Sequence, residues 1–414
     1  MRPRPAAQAG MVLIAVLLAI VLGGAGLMLA SGELTTQARI RAQARSTAAL
    51  AQGRTALLGY AISYAEQHPG QGYGYLPCPD TANTGSTPIG ACHVRDHGAL
   101  GRFPYRTLGL PDLRDGWGDC LWFAVAGSVK NNPKALILNW DSPGQFEIVD
   151  DAGHSLASLA DRAIAVLIAP GPPRDSQTRT ASSTQRCPGS ASAAADLSAF
   201  LDPPYPDNIA GTQVFTQGLA DGLGNNDLLT WITIDELFDG LRRRSDFPLF
   251  INGMLDRAST VFGAWSTNPS LLLAQAAQID GNRLSGRLPD AATLGIAPPF
   301  ADVHDNWRDQ VHFVACADGS ACLAADLTDS AHHPLNAAHE SCRALLLFGG
   351  ERIRTGSDTQ SRTTAAERAD PAQYLEGANR SSIATGSGSF DGHRQFSVPF
   401  PSQPATADVL KCIS

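Results

Sequence analysis

Residues 101–125 read GRFPYRTLGLPDLRDGWGDCLWFAV, and the order of turns and apolar letters in this stretch occurs a second time. GRFP at 101–104 and TLGL at 107–110 match GRLP at 286–289 and TLGI at 293–296. DGWGD at 115–119, followed by LWFAV, matches DNWRD at 305–309, followed by VHFVA. Outward from there the correspondence continues in order. AIAVLIA at 163–169 stands with ALLLF at 344–348, Gln177-Thr-Arg with Gln360-Ser-Arg, and Phe200-Leu-Asp with Tyr374-Leu-Glu. DLLTWI at 227–232 stands with DVLKCI at 408–413. Ordered matches with little drift in spacing mark a tandem duplication.

Within a copy, apolar runs of strand length bounded by Gly or Pro predict strands at 120–125 and 163–169, the second of them buried. Further strands are expected at 135–140 and 145–149. The Ser-, Ala- and Pro-rich 177–206 reads as loop, and 227–238 as a strand passing into a helix that Thr233 or Asp235 would cap. In the second copy LFINGMLDRASTVF and SLLLAQAAQ, within 248–280, read as shorter helices where the first copy has a long N-terminal one. For the two D-x-W-x-D motifs the expectation is structural. Trp117 and Trp307 fill the core beneath a turn, and Asp115, Asp119, Asp305 and Asp309 bond local backbone N–H groups.

Ahead of the repeats, residues 11–30 are twenty uncharged, mostly aliphatic residues behind a leader, MRPRPAAQAG, that holds Arg2 and Arg4. Twenty helical residues span roughly 30 Å, about the hydrocarbon thickness of a bilayer, which predicts a transmembrane helix. The basic leader keeps the N-terminus cytoplasmic. From 31 to 66 there is neither Pro nor a turn cluster, and Leu50, Leu57, Ala61 and Tyr64 share one helical face, so the helix is expected to run on as a stalk. As a signal peptide the segment is poor, because cleavage after Ala30 puts Met28 where a small residue is needed. A plain anchor is the second reading, and cleavage after Gly10 with the helix retained is the third.

This third arrangement resembles the type IV pilin and type II secretion pseudopilin family. The run LPCPD, TLGL and D-x-W-G-D before an aromatic strand is similar to the same family. The resemblance implies cleavage after Gly10 by a prepilin peptidase, methylation of Met11, and packing against other pilin-like subunits through the N-terminal helix. The Glu usual at the fifth mature position is Ala15 here, which points to a large minor subunit at a tip or in initiation. The fold class is then α+β: a long N-terminal membrane-spanning helix followed by two tandem pilin-like helix-plus-antiparallel-sheet units. The divisions are a leader at 1–10, a transmembrane helix at 11–30, a stalk at 31–68, a first globular repeat at 69–240 and a second, with its own preceding helices, at 241–414. The implied location is a single pass through the inner membrane, with the head periplasmic or extracellular. The implied function is a structural subunit of a type IV pilus or type II secretion filament, not an enzyme. The alternative is a membrane-anchored periplasmic enzyme or binding protein whose site only the fold assembles.

The balance of 31 Lys+Arg against 39 Asp+Glu is mildly acidic and gives no footprint for nucleic acid. Cys78, Cys92, Cys120, Cys187, Cys316, Cys322, Cys342 and Cys412 all follow the apolar segment, an even set that reads as disulfides of open connectivity. Cys78 with Cys92 and Cys316 with Cys322 are the local pairs. No nucleophile elbow, zincin motif, P-loop or dinucleotide fingerprint is present, and no cofactor is expected. His332, His333, His339, Glu340 and Cys342 match no zinc spacing. Asp221, Asn225, Asn226 and Asp227 form an oxygen-rich loop, a weak calcium candidate. The counterpart before Asp408 lacks that cluster, which favours a solvated turn.

Overall fold

The computed structural model describes residues 8–157, 161–180, 186–205, 210–218, 225–329, 331, 333–335, 338–354, 356, 358–386, 388–397 and 408–414. Side chains of 8–13, 22–33 and 277–280 lie outside that description. The chain is α+β with two sheets.

Helix α1, Gln8–Gln67, leads in. The first unit follows as β1 (Ala99–Arg102), β2 (Trp122–Val125), β3 (Phe146–Val149), β4 (Ala163–Ala169), α2 (Ala193–Phe200), β5 (Gln213–Thr216), β6 (Leu228–Thr233) and α3 (Ile234–Arg242). Two helices, α4 (Phe247–Trp265) and α5 (Pro269–Gln275), then lead to the second sheet, which opens with β7 (Ala277–Asp280) and β8 (Arg283–Arg287), followed by α6 (Ala291–Leu294). The rest is α7 (Phe300–Trp307), β9 (Val311–Cys316), β10 (Leu323–Thr328), β11 (Glu340–Cys342), β12 (Ala344–Phe348), α8 (Ala365–Ala369), α9 (Gly377–Thr385), β13 (Phe390–His393) and β14 (Val409–Ile413).

The two sheets share a pairing scheme. β4 lies between antiparallel β2 and β6, with β1 outside β2. β12 lies likewise between β9 and β14, with β8 outside β9. The registers correspond too: Gly101 faces Phe123 and Gly286 faces Phe313. Ala169 faces Leu228, and Phe348 faces Val409. Each unit also holds parallel pairing, β3 with β5 in the first, and β10 with β13 and β13 with β14 in the second. The turns leaving β3 and β10 are the same as well. Asp150 Oδ1 accepts the N–H groups of Ala152 and His154, as Asp329 Oδ1 accepts those of Ala331 and His333.

Four expectations are corrected here. Among the described residues no helix is long and apolar enough to cross a membrane. The apolar side chains described at the start of α1 are those of 14–21, about 12 Å of helix against roughly 30 Å of hydrocarbon. The transmembrane helix at 11–30, the single-pass inner-membrane location and the pilin-type anchor fall away with this. The sheets are mixed rather than antiparallel, because the connection from β3 to β5 returns in the same direction through α2. Residues 135–140 form no strand, and α2 interrupts the stretch read as loop at 177–206. Ser192 caps α2 by accepting the Ala195 N–H.

The buried stripe of α1, including Leu50, Leu57, Ala61 and Tyr64, packs on β4 and β6. At Gly53 the helix lies so close to the sheet that a Cβ would come within 2.7 Å of Leu167. In the second unit α4 takes this place over β12 and β14. All eight cysteines are paired: Cys78–Cys92, Cys120–Cys187, Cys316–Cys322 and Cys342–Cys412.

Candidate functional site

The letters that repeat in sequence converge in space. In the first unit Arg179 is buried between strand ends and α2, and its guanidinium donates to Asp119 Oδ2, Gly171 O, Gln177 Oε1 and Phe200 O. Gln177 Nε2 donates to Asp202 Oδ1 at 3.3 Å, and the Asp202 N–H donates to Asp227 Oδ2 at 2.9 Å. In the second unit Arg362 donates to Gly350 O and Gln360 Oε1, Gln360 donates to Glu376 Oε1 at 2.9 Å, and the Glu376 N–H reaches Asp408 Oδ2 at 3.4 Å. Arg362 lies 4.2 Å from the Tyr374 ring and Arg179 lies 5.3 Å from the Phe200 ring. The Gln-x-Arg, aromatic-Leu-acid and Asp-apolar motifs thus build one node, twice.

At the foot of each node an aspartate is buried with Oδ1 unpaired, Asp227 in the first and Asp408 in the second. Burial drives both carboxyls well above the usual range, and the neighbouring acids Asp202 and Glu376 push the same way. Neighbouring buried acids with raised pKa values are the raw material of acid–base chemistry. Here, however, Asp227 and Asp408 are 4% and 5% exposed, and neither lines any of the three clefts described below.

The sequence-predicted candidates are placed as follows. Asn225, Asn226 and Asp227 belong to this node: Asn225 Oδ1 accepts the Asp227 N–H, and Asn226 donates to Asp202 and Pro172. Asp221 lies outside the described residues, as does His332. Among the described residues no cluster could hold a metal ion. His333 and His339 turn to Asp329 and Asp326, and Cys342 is in a disulfide. Gly10 and Met11 lie in α1, in the part whose side chains are not described. Of the D-x-W-x-D motifs, Asp115 Oδ1 accepts the Trp117 and Asp119 N–H groups, but Trp117 is only half-buried. Trp307 does fill the core, from the end of a helix rather than a turn.

Sequence reasoning missed the seam between the units. Asp141 of the first and Arg362 of the second are ion-paired at 2.9 Å with both side chains buried. Gln310 donates to Asp141 at 2.7 Å and accepts from Trp140 Nε1 at 3.1 Å. Asn139 donates to Asn306 O and to Asp309 Oδ1. Burial and the nearby Asp141 raise the Asp309 carboxyl to about 6. The Trp140 ring meets Trp307 edge-on at 4.8 Å. Asn139-Trp-Asp has no counterpart in the second copy, so the repeat did not flag it.

Among the described residues, clefts around this frame include three. One of about 670 Å³ runs between α1 and the edge of β6, and one of about 310 Å³ lies where the end of α1 meets α4 and α7. The third, about 210 Å³, opens beside the seam. No family model matches this chain, and no curated protein or solved structure matches it, so nothing in these comparisons identifies a pilin family. The remaining surface with a chemical character of its own is the start of α1. Ile14, Val16, Leu17, Leu18, Ile20 and Val21 are between 51% and 65% exposed.

Proposed function

We propose that this chain is a structural subunit of a filament of the type IV pilus or type II secretion kind, meeting its neighbours through the N-terminal part of α1. The observation that carries this reading is the exposure of those six aliphatic side chains. At about 3.6 residues per turn they cover an arc of about 200°, Ala15 and Ala19 fill the remainder, and a helix apolar all round is one that other surfaces cover. Covering each half-exposed aliphatic chain is worth about 1 kcal/mol, so side-by-side packing of such helices gives an assembly energy without any catalytic group. Four disulfides brace the head, as befits a part that must survive handling outside a reducing compartment. Processing after Gly10 by a prepilin peptidase, with methylation of Met11, belongs to the same proposal.

The test is a full chain carrying Leu17→Lys and Ile20→Lys, followed into the filament fraction of cells that make such filaments. Incorporation should fall at least about tenfold, the loss that 1.4 kcal/mol produces, while the melting of the head stays unchanged. Undiminished incorporation overturns the proposal. So does a mature N-terminus at Met1, read by mass spectrometry in cells with an active prepilin peptidase.

A further inference from the structure

The 310 Å³ cleft between the end of α1, α4 and α7 has the volume and lining of a small-molecule site. Its walls are Tyr73 from the loop after α1, Phe250 and Met254 from α4, and Phe300 and Val303 from α7. Its floor at Gly253 is bare: a Cβ built there meets no atom within 4 Å. On the rim, the Arg257 guanidinium stands 3.5 Å from the Phe300 ring centre. Among the described residues it makes no hydrogen bond or ion pair.

The acids that would answer Arg257 are engaged elsewhere. Asp256, its neighbour, holds Lys411 at 2.7 Å, and Asp246 is held by Arg244 and by the Tyr73 hydroxyl. The one other basic side chain in the lining, His304, donates its Nε2–H to Pro289 O, and burial keeps it from taking a charge near neutrality. The cleft therefore offers an aromatic interior and a single unanswered cation.

We propose that this cleft binds a small aromatic carboxylate, with its ring between Tyr73, Phe250 and Met254 and its carboxylate on Arg257. A planar guanidinium already stacked on Phe300 presents its remaining N–H groups in a fork, the geometry that matches a carboxylate's two oxygens. An apolar ligand alone would leave that fork unused, and a purely inorganic anion would leave the aromatic walls uncovered.

The experiment is calorimetric titration of the full chain with 1-naphthoate and with its neutral analogue 1-naphthamide. The carboxylate should bind about tenfold more tightly, a difference of 1.4 kcal/mol. Arg257→Gln should erase that difference while leaving the amide's affinity unchanged. Gly253→Leu should abolish binding of both compounds, and it should fold well, because it fills open space and replaces Gly by a better helix former. Equal affinity for the two compounds, binding that survives Gly253→Leu, or no binding of either compound would each overturn the proposal. None of these residues lies in 14–21, so either outcome leaves the filament reading where it stood.

Discussion

In the first unit the helix on the sheet is the end of a 60-residue rod, while in the second it is the 19-residue α4. The strands beneath are paired alike, so the interest lies in how each interior adjusts to its helix. Gly116 sits directly on α1: a Cβ there would fall 1.9 Å from Ala42 O, and its N–H donates to Ser46 Oγ. The matching residue in the second unit is Asn306, whose amide lies 2.8 Å from the Tyr75 hydroxyl of the first. Where the first copy needed a residue small enough for a helix to pass, the second used the same position to reach across the seam. Trp122 and His312 differ in the same spirit. Both are buried at the same register, but the histidine has neither ring nitrogen paired. Duplication preserved the hydrogen-bonded frame, and the side chains between frame and helix diverged.

The sharpest way to break the comparison is at the seam. Asp141→Ala leaves Arg362 buried without its partner and should cost about 3–5 kcal/mol. Calorimetry should then show the melting temperature of the head lowered, in one transition, since a single hydrophobic core runs through both units. Next come the long disulfides, which close 67 residues in the first unit and 70 in the second. Replacing Cys120 and Cys187 by Ser, or Cys342 and Cys412 by Ser, should each cost about 4 kcal/mol by chemical denaturation. Unequal losses would show that the units do not share one unfolded reference.

A smaller effect separates the units by pH. Burial and the charges of Arg287 and Arg362 lower the His312 pKa to about 3. The unfolded chain then takes up the proton first, so stability is lost as pH falls below about 6.5, by about 2 kcal/mol between pH 7 and pH 5. His312→Phe should remove that loss in melting curves, and the first unit, with Trp122, has no such term to remove. The nodes act with the opposite sign. Asp227 and Asp408 have folded pKa values above their unfolded ones, so their stabilisation is present at acid pH and fades as pH rises from about 4. Each site adds a slope of up to about 1.4 kcal/mol per pH unit. Asp227→Asn and Asp408→Asn should flatten it equally in titrated denaturation.

The strands were legible because short apolar runs such as 163–169 have one physical use, and the order of motifs carried the pairing with it. The nodes were legible only in part. The repeated Gln-x-Arg and aromatic-Leu-acid letters stood out in sequence, yet nothing in their spacing said that residues as distant as Arg179 and Asp227 converge. Asn139, Trp140 and Asp141 gave no signal, because a residue that joins two copies is needed in only one of them. The stretch 135–140 reads as a strand by its Leu-Ile-Leu run, yet Leu136 is exposed and the segment serves instead to seat Leu138 and Trp140, the latter against Trp307. Apolar composition at 11–30 was read as a bilayer span, although such composition reports only that a surface wants cover. The described side chains do not make it a membrane segment.

The pair Asp141–Arg362 joins positions 221 residues apart. A chain made from its N-terminus forms all six strands of the first sheet before Arg362 exists. Until then Asp141 has no cation, Trp140 no Trp307, and the face that will be sealed is open to water and to passing strands. Domains of most chains finish one after another during synthesis. This head closes late and in one step, so a ribosome stalled or a chain truncated between the two sheets should leave the first unit needing a chaperone.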